Sequence, residues 1–481
     1  MAAKDIKKTI KASIKKGYAL LEKGEEEKAA AIFAPLEEEL TKLKGYEALD
    51  KLKGKRIVSE KFTQIADTLS DEQIGKTVSI RGWVYRKREQ KELIFLIIRD
   101  SSDIIQAVVK KGSKAWSAAQ KITIESSCEL SGKIKKDARA PTGYELQIED
   151  LRIVGLAERF PITKDLSEEF LRSVRHLWVR SRKLTLIFKI RSAVFEAIHE
   201  FYKQRGFYEI QSPSFTACAC EGGSTLFEVK YFDKKAYLTQ SWQLYAEALI
   251  FGLERIYCIA PSYRAEKSRT RRHLAEYWHH EMEAAWMSFD ELLKFEEELI
   301  LFIVKYVLRK CKKQLKELGR DTTELEKLKA PFARMKYAEA IKKLGKKWGY
   351  DLTDEDERKL VAEVGKPLFL THFPRETKAF YMKVDPKDKK VVLAADLLVP
   401  GVGEITGGSS RIETAKELLE SIKLFKLPHT DYTWYLDLRK FGSVPHAGFG
   451  LGIERLVMWL TGCEHIFDTI PFPRTMDRLT P

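Results

Sequence analysis

The chain has 481 residues, enough for two or three domains with a sizeable core, and its 44% hydrophobic and 32% charged composition excludes a disordered or fibrous protein. A formal net charge of +15 favours a polyanionic partner, because each phosphate met by Lys or Arg releases counterions. Six cysteines are too sparse for a disulfide framework and suit a reduced cytoplasmic setting; no apolar run reaches membrane-spanning length, and the basic N-terminus lacks a signal core.

Residues 1–56 carry 14 Lys/Arg and 10 Asp/Glu, and Ile6, Ile10 and Ile14 recur at the spacing of one helical face, which predicts a basic helical extension. An extra nucleic-acid contact and a plain solvated helix fit it equally. Over 57–157 five short alternating runs, Thr77–Arg88, Lys91–Asp100, Asp103–Lys110, Cys128–Lys136 and Tyr144–Gly155, predict a small Greek-key barrel. Residues 158–180 read as a hinge. The remainder, 181–481, predicts an antiparallel sheet with flanking helices, interrupted at about 290–365 by a charged helical insertion in which no chemistry is legible. The expected fold class is α+β.

The densest chemistry lies in YRAEKSRTRRHLAEYWHHEMEAAW, Tyr263 to Trp286, which sets four arginines beside several carboxylates and three histidines. If its second half is a strand, residues two apart share a face, so His279, Glu281 and Glu283 point one way while Trp278, Met282 and Trp286 pack the other. A polyanionic, multi-part ligand suits such a face. Cys218 and Cys220 resemble half a metal site, but no second pair at ligand spacing follows.

This segment resembles motif 2 of the class II aminoacyl-tRNA synthetases. GFGLGIERL, Gly448 to Leu456, is similar to motif 3, and RSAVFEAIHEFYKQRGFYEIQSP, Arg191 to Pro213, to motif 1. The three stand in family order, a combination far more specific than any one alone. For the barrel the resemblance implies the OB-fold anticodon-binding domain of the aspartyl, asparaginyl and lysyl branch, with Phe95 stacking on a base and Gln106 reading neighbours. A sequence-tolerant single-strand binder is the alternative for that domain.

The resemblance also implies ATP as substrate. Activation sets a carboxylate against the α-phosphate, so in-line positioning and charge neutralisation are needed rather than a general base. Arg264 is expected to bridge the substrate carboxylate and the α-phosphate, Glu266 to accept from the adenine amino group, Arg272 and His273 to reach the distal phosphates, and Arg455 to hold the γ-phosphate. Arg264 and Arg455 are thus the expected catalytic pair, and Gly450 and Gly452 would let the backbone approach the nucleotide. Asp396 and Glu404 match acidic positions facing the phosphates and, as hard oxygen ligands, suit Mg²⁺. Gly407 departs from the serine often found there in aspartyl relatives.

Glu221 and Gln243 fall on positions that bind the α-amino group, and Arg411 on the one that grips the side-chain carbonyl. Ala246 stands where aspartyl enzymes have a lysine, and Glu281 where they have an aspartate. An amide can accept from Arg411 and donate to Glu281, whereas an aspartate side chain would meet a like charge in a partly dry pocket. The resemblance therefore implies ATP-dependent charging of tRNA(Asn) with asparagine by a cytoplasmic homodimer joined near Phe207 to Pro213. The alternatives are an aspartyl enzyme, opposed by Ala246 and Glu281, and a paralogue turned to amide synthesis or RNA binding, opposed by the complete motifs.

Overall fold

The computed structural model describes residues 61–163, 166–220, 225–266 and 272–481, with helical positions 12, 13, 16, 19, 20, 28 and 32 before them. Apart from those few, the helical extension expected over 1–56 lies outside the described residues. The chain divides into two compact units, Met1–Lys164 and Asp165–Pro481.

In the first unit β1 (Thr77–Glu89), β2 (Leu93–Arg99), β3 (Ile104–Lys110), β4 (Ser127–Lys136) and β5 (Tyr144–Gly155) close a barrel in the order β1-β2-β3-β5-β4. Alternation in the sequence decides which side chains fill it. Ile94, Leu96 and Ile98 of β2 point inward and are fully buried, leaving Phe95 and Ile97 half-buried on the other face. Phe95 pairs with Val108 and Gln106 with Ile97, so Phe95 and Gln106 share that outer face. Phe95 has the Arg88 guanidinium 6.0 Å from its ring, and Gln106 donates to Glu145 at 3.3 Å.

The second unit contains β6 (Tyr208–Glu209), β7 (Phe215–Thr216), β8 (Glu228–Tyr231), β9 (Lys234–Leu238), β10 (Arg255–Tyr263), β11 (Glu276–Ala285), β12 (Ala333–Lys336), β13 (Leu368–Thr371), β14 (Ala394–Val399), β15 (Gly403–Ser410) and β16 (His446–Gly452). Eight of these form one sheet in the order β12-β13-β14-β15-β16-β11-β10-β6, antiparallel from β13 to β10. The helix Arg182–Lys203 starts at Ser181, whose Oγ accepts from Leu184 N, and buries Ile187, Ile190, Val194, Ile198 and Phe201. It packs on the helix Phe289–Lys310, which opens with a capping box of Ser288 and Glu291. Each of those buried apolar side chains of Arg182–Lys203 contributes roughly 1.5–3 kcal/mol by leaving water. Together the two helices brace one face of the sheet, and the other face, flanked by the helices Gln243–Leu253 and Asp354–Val364, carries the candidate site.

Three expectations change in detail. Of the stretch read as a hinge, the part from Asp165 onward belongs to the second unit, where buried Arg175 donates to the carbonyls of Phe467, Ile470 and Pro471. Trp286 does not pack beside Met282: the chain turns there with φ 62°, and the indole is 65% exposed. The stretch 290–365 is not a purely helical insertion, since it supplies the edge strand β12 and the helix Asp354–Val364, whose first turn reaches the candidate site.

Candidate active site

Along β11 the period of two holds. His279, Glu281 and Glu283 line a cavity of about 620 Å³, whereas His280 faces the opposite side, with Nε2 2.9 Å from the Tyr202 hydroxyl and Nδ1 2.9 Å from the Cys258 carbonyl. Burial pushes the His280 pKa down to about 3, so that ring is a neutral core group. The neighbouring strand explains why the cavity face can carry so much charge. A Cβ on Gly448 would run into the Glu283 carboxylate, and one on Gly450 into the His279 ring. Gly450 therefore makes room for a histidine of the adjacent strand, and the three atoms nearest to a Cβ on Gly452 all belong to Arg455, at 3.9 Å.

One end of the cavity is built for a small polar group. Arg411 is buried and forks onto Glu283, with Nε to Oε1 at 3.1 Å and Nη2 to Oε2 at 2.9 Å, while its Nη1 donates to Ser409 Oγ at 2.7 Å. Burial alone would lower the Arg411 pKa, but the Glu283 carboxylate outweighs it and keeps the guanidinium charged. Glu281 accepts from the Trp242 backbone N–H at 2.8 Å and from the Ser241 hydroxyl, and lies 3.5 Å from His279 Nδ1. Gln243 lines the same end and donates its amide to Glu247 at 2.9 Å. Glu221 lies outside the described residues.

The other end collects cations. Arg264 stacks 5.6 Å from the Tyr277 ring and is 3.8 Å from Glu266, which in turn is 3.8 Å from His273. Burial and the nearby Arg455 lower the His273 pKa. Arg455 Nη1 meets Glu404 twice at 3.0 Å, at the carboxylate and at the backbone carbonyl. Arg272, expected to reach the distal phosphates, lines the same cavity. It is buried, bonded to Glu357 at 2.6 Å and paired with Asp354, both from the helix Asp354–Val364. Glu357 also accepts from the Glu404 backbone N–H at 3.1 Å. Gly403, at φ +89°, sits where any Cβ would strike Arg272 and Glu357 at 2.6 and 2.7 Å.

Asp396 receives Lys378 Nζ at 2.6 Å. Burial, reinforced by the Glu404 charge and only partly opposed by Lys378, pushes the Asp396 pKa up to about 7; for Glu404 burial is outweighed by Arg455, Lys378, Arg272 and Arg264, which bring it down to about 2. A Cβ on Gly407 would stand 3.4 Å from Asp396 Oδ1 and 3.5 Å from Glu404 Oε1, so the bare glycine leaves both carboxylates facing one small space. Hard oxygens around such a space fit a Mg²⁺ ion. Glu247, Glu283 and His446 also bring ligand-type atoms within 4.8 Å of one another, but Arg439 and Arg411 already supply the positive charge there.

The sequence reading placed Glu283 on the right face without assigning it a partner, and it missed Lys378, Glu357, Asp354 and Glu247. Lys378 and Glu357 lie in stretches without a motif, and only the sheet order brings them to β14 and β15.

Comparison with known proteins extends this picture. Residues 167–476 match the model of class II tRNA synthetases (D, K and N), and residues 78–154 that of the OB-fold nucleic acid binding domain. The asparagine–tRNA ligase of Thermoplasma acidophilum is 45% identical over 87% of this chain and 99% of its own length. That of Thermococcus gammatolerans is 48% identical over 85% and 97%. The crystal structure of asparaginyl-tRNA synthetase from Pyrococcus horikoshii complexed with asparaginyl-adenylate superposes with a TM-score of 0.85 at 44% identity, covering 88% of this chain and 100% of that one. An aspartyl-tRNA synthetase from Entamoeba histolytica gives a TM-score of 0.77 at 27% identity, covering 88% and 93%.

Proposed function

This chain belongs to the class II tRNA synthetases of the D, K and N branch, and on that premise we propose how its residues join asparagine to tRNA. The enzyme activates asparagine with ATP to an adenylate and transfers it to tRNA. The observation that carries the site assignment is the division of one cavity into two electrostatic ends. Arg264, His273, Arg455 and Glu266 line one end of it, which supports binding of the nucleotide there, with Glu266 accepting from the adenine amino group. Arg264 bridges the substrate carboxylate and the α-phosphate and stabilises the charge that builds on the phosphorus centre. Arg272 works from its clamp on Glu357 and Asp354, holding the end of the motif 2 segment beside Glu404.

Asp396 and Glu404 would hold Mg²⁺, which when bound adds positive charge at the phosphate oxygens. At the opposite end Arg411 donates to the carboxamide oxygen and Glu281 accepts from its NH₂, while Gln243 and Glu221 take the α-ammonium group. Glu283 already pairs with the Arg411 guanidinium and Glu281 lines the same cavity, so an aspartate side chain would add a third negative charge with nothing at Ala246 to relieve it. The charged Phe95 and Gln106 face of the barrel takes the anticodon of tRNA(Asn).

ATP–pyrophosphate exchange with asparagine and with aspartate in parallel tests this reading. Asparagine is expected to support exchange in the wild-type chain and not in Arg264→Ala; exchange with aspartate alone would overturn the assignment. We further infer a homodimer, since Tyr208 in the motif 1 strand and Phe215 just beyond that motif are 57% and 51% exposed. Light scattering at working concentration is expected to give twice the 55.5 kDa chain mass, and a monomer would remove this part of the proposal. Six free cysteines, five of them buried, accord with a reducing cytoplasm.

A further inference from the structure

Behind the amino-acid end of the cavity lies a carboxylate for which the mechanism above has no use. Glu247 is completely buried on the helix Gln243–Leu253, one turn beyond Gln243. Its Oε2 accepts from the Tyr435 hydroxyl at 2.7 Å and from the Arg439 guanidinium, and lies 3.0 Å from His446 Nε2. Burial would raise its pKa, but Arg439 and His446 outweigh that and hold it below the ordinary carboxylate range. Its other oxygen, Oε1, is turned to Gln243 and accepts from Nε2 at 2.9 Å.

A glutamine amide has a donor end and an acceptor end that differ little in shape, so its partner must decide which end faces which way. An ionised carboxylate can only accept. It therefore captures the NH₂ of Gln243 and leaves the carbonyl oxygen as the end offered to the cavity. A substrate α-ammonium group has three donors and no acceptor, so it needs that oxygen; a reversed amide would set donor against donor.

We propose that Glu247 is a positioning residue for amino-acid recognition: held by Tyr435, Arg439 and His446, it fixes the orientation of the Gln243 amide so that an oxygen meets the substrate α-ammonium. This rests on the amino-acid site assigned above. It makes the helix Thr433–Lys440, which carries Tyr435 and Arg439 and does not line the cavity with either, part of the recognition apparatus.

The test uses the full-length chain with Glu247→Gln, which keeps the shape but frees the Gln243 amide to turn, and Glu247→Asp, which keeps the charge but withdraws it by one carbon. Pyrophosphate exchange reports KM for asparagine and for ATP, and 3-carbamoylpropanoate, asparagine without its amino group, serves as a competitive inhibitor. Both variants are expected to raise KM for asparagine about tenfold while KM for ATP and the inhibition constant of the des-amino analogue stay within about twofold. In a Gln243→Met background the Glu247→Gln change is expected to add nothing further. An unchanged asparagine KM, a parallel loss of affinity for the des-amino analogue, or failure of both variants to fold by circular dichroism would each reduce Glu247 to a structural role. Absence of asparagine exchange in the wild-type chain would instead remove the underlying site assignment.

Discussion

Glu281 is held by two donors, the Ser241 hydroxyl and the Trp242 backbone N–H, so its carboxylate is fixed as an acceptor before any substrate arrives. That preorganisation is what an asparagine NH₂ needs and what an aspartate carboxylate cannot use. Glu281→Gln would leave one of the two donors facing an NH₂ and would present a donor to the substrate amide. The expected outcome is a fall of about 10²-fold in kcat/KM for asparagine with a smaller preference over aspartate. Exchange kinetics with both amino acids check it, and an unaltered preference would show that Arg411 and Glu283 discriminate without Glu281. Arg272 carries a different lesson at this scale. It lines the cavity and is also paired with two carboxylates from a distant helix, because a buried guanidinium without partners would cost several kcal/mol.

The helix Phe289–Lys310 does more than brace the sheet. Its Glu296 is fully buried beneath β15 and accepts from Thr406 Oγ1 at 2.6 Å; Gly408 leaves it space, since a Cβ there would stand 2.9 Å from its second oxygen. Burial pushes its pKa up to about 8, with only partial relief from Thr406. A carboxyl raised above its unfolded value favours folding fully only below about pH 4.5, and that contribution is lost as pH rises toward about 8. Between pH 5.5 and 7.5 the loss is on the order of 2 to 3 kcal/mol. Glu296→Gln removes the titration, so its stability relative to wild type is expected to improve by that amount over the interval. Denaturant unfolding at the two pH values measures it; a difference independent of pH would mean that Glu296 is ionised in the fold.

In the whole molecule, the proposed function assigns activation and anticodon contact to separate compact units. Phe95 lies on the outer face of the barrel, whereas every residue lining the cavity falls between Ala219 and Ile466 in the second unit. Phe95→Ala is therefore expected to leave exchange intact and to weaken tRNA charging, by about 1–3 kcal/mol if the ring stacks on a base. Equal loss of both activities would contradict that division. Among the described residues no helix is long and apolar enough to cross a membrane.

Much of this is legible in the amino-acid sequence. Alternation in Leu93–Arg99 set the inward and outward residues of the barrel, and the two-residue period of β11 grouped His279, Glu281 and Glu283, because both are local consequences of the extended backbone. Within motif 2 and motif 3 the residues are close in sequence, and Arg264, Glu266, His273 and Arg455 do line one cavity. What the chain order could not disclose were contacts made across the sheet and from helices distant in sequence: Glu283 forking onto Arg411, 128 residues away; Arg439 reaching Glu247 over 192; Glu357 capturing Arg272 over 85. Those pairings depend on which strands lie side by side and on which charges burial forces together. Only the folded packing, where a desolvated charge must find a partner, decides them.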